Sequence, residues 1–138
     1  MNAETILRAA RACLGTPFRH QGRQIGVGLD CAGLCICVAK EIGHDVSDVE
    51  GYGRYPSGGQ LMDALSMQPF LRRRANASDR QPGDLLLMRF VSDPQHLAIF
   101  AGPTIIHAYE SAGKCCEHVI NAPWASRIVA AYAFRGVT

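Results

Sequence analysis

The sequence predicts an α+β fold, with helices in its first half and an antiparallel sheet in its second. Three observations carry this expectation. Residues 30–43 hold one apolar helical pattern with both a start and a stop signal. From Gln81 onward the pattern changes to short alternating segments separated by turns. The chain has 138 residues, 48% apolar and 19% charged, which suits one globular domain (1–138) with a substantial core.

The elements follow in order. Residues 3–14 read as a helix with Ile6, Leu7, Ala10 and Leu14 on its inner face, and Gly15-Thr16-Pro17 stops it. A loop from Phe18 through Gly26-Val27-Gly28 leads into the central helix. There Asp30 is a favourable N-cap and Gly43 suits a left-handed C-terminal cap. Cys31, Leu34, Cys35, Val38 and Ile42 share one helical stripe. Ile36, Cys37 and Ala39 make most of the remaining circumference apolar, so the helix should be buried nearly all round. A second loop, 45–59, carries Tyr52, Tyr55 and Pro56, and a short helix is expected over 60–71. After the turn Gln81-Pro82-Gly83-Asp84, strands are expected at 85–90, 96–101, 104–109, 117–121 and 128–135 as an antiparallel meander packed on the central helix.

Composition narrows the functional classes. A net charge of +2 is too small to argue for nucleic acid, and the run Arg72-Arg73-Arg74 reads as a solvated face. No apolar run approaches a membrane span, and residues 1–14 lack the apolar core of a signal peptide. Synthesis in a bacterial cytoplasm without a signal peptide is the expectation. The six cysteines do not form a disulfide pattern, since three lie in one helix and Cys115-Cys116 are adjacent. Cys31-x3-Cys35-x-Cys37 matches no zinc or iron–sulfur spacing, so neither a metal nor another cofactor is expected.

The chemistry gathers at one cysteine and two histidines. A cysteine in the first turn of a helix meets unpaired N–H groups and a favourable dipole. These should lower its pKa from about 8.5 and supply a thiolate nucleophile. In 96–100 and 105–109, alternation places His96 and His107 each on one face of its strand. If Gly102-Pro103 is a two-residue hairpin loop, Ala98 pairs with His107 and His96 with Tyr109. The two imidazoles are then diagonal neighbours on one face, within reach of each other. A thiol nucleophile needs a base that later protonates the leaving amine, and a third group that fixes the base's tautomer. Cys31, His96 and His107 can fill those roles in that order, and the Cys31 N–H can donate to an oxyanion. His20, His44 and His118 are the competing histidines, with His44 at the wrong end of the helix.

Across nearly its whole length the chain resembles the NlpC-type cell-wall cysteine peptidases, which have a compact papain-like fold. The segments are Leu14-Gly15-Thr16-Pro17-Phe18, Asp30-Cys31-Ala32-Gly33-Leu34, Gly83-Asp84-Leu85, His96-Leu97-Ala98-Ile99-Phe100 and His107, in the family's order. The resemblance implies hydrolysis of peptide bonds in peptidoglycan stems by Cys31, His96 and His107. It makes a peptidoglycan peptide the partner, with the cell wall as the place of action. The small size and the Pro17-Phe18-Arg19-His20-Gln21-Gly22-Arg23 opening look most like members encoded in phage tail modules, whose partners would be tail proteins. Phe18 stands where the family usually has an oxyanion-supporting tyrosine, and His20 is a candidate substitute. Asp30 and Tyr52 are further candidates for oxyanion support or substrate contact. Two alternatives stand beside the peptidase: a tail-tip assembly component that keeps the fold, and an amidase or acyltransferase using the same triad.

Overall fold

The structure is a computed structural model, and it describes residues 2–48, 59–90 and 93–137. Helix α1 (Ala3–Arg11) starts where the Asn2 side chain accepts the Thr5 N–H at 3.2 Å. It ends three residues before the expected stop. Ile6, Leu7 and Ala10 are buried as the pattern requires, but the turn after Arg11 rotates Cys13 inward and leaves Leu14 exposed.

The segment after α1, expected as a loop, forms a small hairpin, β1 (Arg23–Gln24) with β2 (Gly28–Leu29). Its four residues are too few to give an alternating signal. Helix α2 (Cys31–Glu41) follows at once, with Asp30 as its N-cap. It ends in a Schellman motif: Gly43 has φ +94°, its N–H donates to the Lys40 carbonyl, and the His44 N–H donates to that of Ala39. Helix α3 (Gln60–Ser66) is five residues shorter than the span expected from the sequence.

Eight strands occur among the described residues, six of them in one antiparallel sheet. Besides β3 (Leu71–Arg73), these are β4 (Leu85–Arg89), β5 (Pro94–Phe100), β6 (Thr104–Tyr109), β7 (Lys114–Val119) and β8 (Ile128–Phe134), in the order β3-β8-β4-β5-β6-β7. The meander expected from the sequence holds for β4 through β7. The last strand instead crosses back to pair with β4, Leu85 opposite Tyr132, so β4 lies inside the sheet. Strand β3 was missed because Arg72 and Arg73 look like solvated charge. They are exposed, but Arg74 is not part of that face: its guanidinium grips Asp84, a buried carboxylate, at 2.6 and 2.9 Å.

The sheet separates two apolar layers. On one face Leu85, Leu87, Leu97, Ile99 and Ile106 pack against Ile6, Leu34 and Val38 of the helices. On the other, Leu86, Met88, Ala98, Phe100, Ile105 and Ala131 pack beneath Trp124 and Ile128. Trp124 comes from a four-residue helix, α4 (Ala122–Ala125), capped by Asn121 and opened by Pro123. Among the described residues no helix is long and apolar enough to cross a membrane.

Candidate active site

The loop before α2 is held by Asp30. Its carboxylate accepts the N–H of Gly33 at 2.8 Å, the N–H of Gln21 at 2.8 Å and the Arg23 guanidinium at 2.9 Å. Arg23 reaches on to Asp48 and to the Gly22 carbonyl. Gly33 is required by this closure, because a Cβ there would run into the Gly22 carbonyl oxygen. Asp30, a sequence candidate for oxyanion support or substrate contact, is a buried cap and strut in the fold. Its oxygens are engaged by the loop around Cys31.

Cys31 opens α2, partly buried, on the wall of a cavity of about 900 Å³ that also contains His96, Phe18 and His20. The backbone N–H groups of Leu97 and Ala32 face its sulfur. The resting thiol differs from the expectation of a depressed pKa. Burial pushes it up to about 12, and the Asp30 carboxylate adds to the rise; the two N–H groups and Arg23 pull the other way but lose. The helix start does favour a thiolate, yet the apolar packing of α2 and the adjacent anion outweigh it.

The hairpin keeps the expected register over the two pairs next to the turn, and the ladder stops short of the pairs expected at His107 and His96. Gly102, with φ +97°, and Pro103 form the two-residue turn, with Ala101 bonded to Thr104 and Ile99 opposite Ile106. That alignment brings His96 Nε2 to 2.6 Å from His107 Nδ1, both rings buried. Burial lowers His96 to about 3, assisted by the positive field of Arg127 and by His118. Burial likewise lowers His107 to about 2, with smaller contributions from His96 and His118. Cysteine and both histidines thus rest uncharged.

His118, one of the competing histidines in the sequence, joins this pair. His107 Nε2 lies 2.8 Å from His118 Nε2, and His118 Nδ1 lies 3.1 Å from the Val119 carbonyl oxygen. Strand β7 was expected at 117–121; it begins at Lys114, and Cys116 sits directly opposite His107. With that register, His118 is the diagonal neighbour of His107 on the same face. Trp124 packs edge-on against His107 at 5.2 Å and tilted over His118 at 4.8 Å, while Phe90 covers His96 at 5.0 Å. The pair Asn121 and Pro123 was the available signal for the helix that delivers this tryptophan.

His107, Cys116 and His118 also offer three metal-ligand atoms within 4.8 Å of one another. The two imidazole nitrogens face each other at 2.8 Å, a hydrogen-bond length, whereas two nitrogens on one tetrahedral zinc stand about 3.3 Å apart. The arrangement fits a hydrogen-bonded pair. Phe18 and His20 line the cavity, and Phe18 brings no hydroxyl. His44 is remote, its ring stacked on Phe70 and bonded to the Arg135 carbonyl. Tyr52 and Tyr55 lie outside the described residues.

Comparison with known proteins gives this geometry a family. The NlpC/P60 family profile matches residues 15–133. The chain belongs to the NlpC/P60 family. It is similar to the NlpC/p60 domain of the peptidoglycan hydrolase SagA, with a TM-score of 0.69 at 20% identity over 97% of this chain and 100% of that one. An NlpC/P60 protein from Bacillus cereus superposes with a TM-score of 0.68 at 20% identity, over 95% of this chain but 39% of the longer one. The peptidoglycan hydrolase RipB from Mycobacterium tuberculosis gives 0.66 at 19% identity, covering 95% of this chain and 63% of that one. These likenesses establish the papain-like NlpC/P60 fold. No curated protein matches the chain.

Proposed function

We propose that this NlpC/P60 chain is a cysteine peptidase that hydrolyses peptide bonds in peptidoglycan stem peptides. The observation that carries the reading is the buried His96–His107 contact at 2.6 Å, in a cavity that also presents Cys31 at a helix start. Its structural relatives SagA and RipB are peptidoglycan hydrolases, which supports this choice of substrate.

Because thiol and imidazole rest neutral, the proton moves when the substrate is attacked. Cys31 Sγ bonds to the scissile carbonyl carbon while its proton passes to His96 Nδ1. The oxyanion takes a hydrogen bond from the Cys31 N–H, which as the first helical N–H has no intrahelical acceptor. His96 then gives the proton to the leaving nitrogen, the C–N bond breaks, and an acyl-thioenzyme remains. Water, deprotonated by His96, attacks the thioester; the C–S bond breaks, the proton on His96 returns to the Cys31 sulfur, and the acid product leaves. His107 accepts from His96 Nε2–H throughout and keeps Nδ1 directed toward the nucleophile. A role in a phage tail rests on the sequence resemblance alone.

The test is incubation of the purified protein with defined muropeptides and identification of products by mass. Cleavage by the parent and its loss in Cys31→Ser, with unchanged folding and melting temperature, is the expected result. Equal cleavage by both proteins, or by neither, would defeat the assignment.

A further inference from the structure

We propose that His118 is a positioning residue: through His107 it fixes His96 in the tautomer whose free Nδ1 can take the proton of Cys31. The proposal rests on the peptidase reading and extends the machinery by one residue on the outermost strand of the sheet. It follows from counting hydrogens along the chain of rings. The Val119 carbonyl can only accept, so the His118 nitrogen 3.1 Å from it, Nδ1, carries the hydrogen. In a neutral ring Nε2 is then a lone pair, and the facing His107 Nε2 at 2.8 Å must donate to it. That leaves His107 Nδ1 as an acceptor, so His96 Nε2, 2.6 Å away, is the donor. His96 Nδ1 is left unprotonated. A single backbone oxygen at the sheet edge thereby sets the protonation pattern of a base two strands away.

Without His118, nothing in this chain of contacts dictates which nitrogen of His107 holds its hydrogen. The reversed chain, with His107 Nδ1–H donating to His96 Nε2, leaves His96 protonated on Nδ1 and useless as a base. The surroundings favour a rigid relay. Trp124 lies against both His107 and His118, and the Arg127 guanidinium sits 4.5 Å over the Trp124 ring, its charge opposing protonation of His96. The position of His118, partly exposed on edge strand β7, makes substitution there compatible with folding.

Two measurements test the relay. The first reads tautomers directly, by long-range ¹H–¹⁵N correlation of the histidine rings, assigned by single substitutions and repeated in Cys31→Ala. Expected are Nε2–H on His96 and His107 and Nδ1–H on His118. The second compares muropeptide turnover in three variants. His118→Ala should lower kcat by about 10-fold with KM little changed, since water replaces the acceptor imperfectly. His118→Gln should restore most of kcat, because its amide oxygen accepts from His107 Nε2–H. His118→Lys presents donors only and should fall below the alanine variant by at least about another 10-fold, as expected for an enforced wrong tautomer. An Nδ1–H tautomer of His96 in the resting protein overturns the relay whatever the activity, as does equal kcat in all three variants. The expected tautomers in a protein that cleaves no muropeptide would overturn the peptidase reading and leave the relay standing.

Discussion

Acid should unfold this protein earlier than its carboxylates alone would require, because two of its histidines are buried without charge. His96 is 4% exposed and His107 is 0% exposed. Their pKa values are lowered from 6.5 to about 3 and about 2, so both stay neutral in the fold while an unfolded histidine titrates near 6.5. The sign follows from proton counts: below pH 6.5 the unfolded chain binds more protons, so stability rises with pH and falls as pH falls. Each ring costs about 1.4 kcal/mol for each pH unit below 6.5 until its folded pKa is reached. Between pH 6.5 and 4.5 the pair should therefore remove about 5 kcal/mol. A chain of this length has on the order of 7–20 kcal/mol in all. Glu117, held below 4.5 by Arg11 and Thr104, adds its own loss only beneath that window. The assay is the urea midpoint measured at half-unit steps from pH 7.5 to 4.5, with His107→Gln as the partner protein. Removing one titrating ring should roughly halve the acid slope. A flat midpoint between pH 6.5 and 5, or an undiminished slope in His107→Gln, would refute the reasoning.

Two further outcomes are expected. Gly33→Ala places a methyl against the Gly22 carbonyl oxygen, backbone against backbone, and should cost about 3 kcal/mol or roughly 10 °C in thermal melting. Gly15→Ala, at φ +84° with open space around it, should cost only about 1 kcal/mol in the same scan, and equal losses would contradict the close approach. In turnover assays His96→Ala should abolish muropeptide cleavage, while His107→Gln keeps an appreciable fraction because its amide oxygen still accepts from His96 Nε2–H. If His107→Gln were as inactive as His96→Ala, the two histidines would have to exchange roles.

What the sequence made legible was local and periodic. Asp30 and Gly43 bracket α2 in the sequence as they do in space, since cap chemistry depends on single residues. The His96–His107 contact was readable because the short Gly102-Pro103 turn fixes register, and register fixes faces. Features that depend on distant packing stayed hidden. The return of β8 to β4 leaves no mark in either strand's own alternation. Arg74 looked like its two neighbours until Asp84 was seen to hold it. His118 stood in the sequence only as a competing histidine, because the start of β7 was placed three residues late, where Lys114 and the adjacent cysteines give no clear alternation. The neutral thiol was hidden for a related reason. A helix start is visible in sequence, but how much water a fold removes from it is not.

The pleat of one strand serves both sides of the proposed site. Leu97 points into the helical layer, where α2 packs, and its backbone N–H faces Cys31 sulfur. The preceding residue, His96, shares the opposite face with Ala98 and Phe100, where the other histidines and Trp124 lie. Strand β5 therefore couples the two halves of the site through adjacent residues, and a one-residue slip would exchange their faces. The register of β5 needs a firm anchor, and Gly83-Asp84 supplies it. The Gly83 N–H donates to the Phe100 carbonyl at 2.7 Å, and the Phe100 N–H donates to the Asp84 carbonyl at 2.8 Å. The Asp84 carboxylate is itself locked by Arg74 and the Gln81 N–H. Gly83 adopts φ +95°, and a Cβ added there would crowd Ala3, so a side chain would strain both the turn and α1. Asp84 thus acts on the proposed site through register alone: it holds the strand that carries both Leu97, whose N–H faces the Cys31 sulfur, and His96, the proposed base.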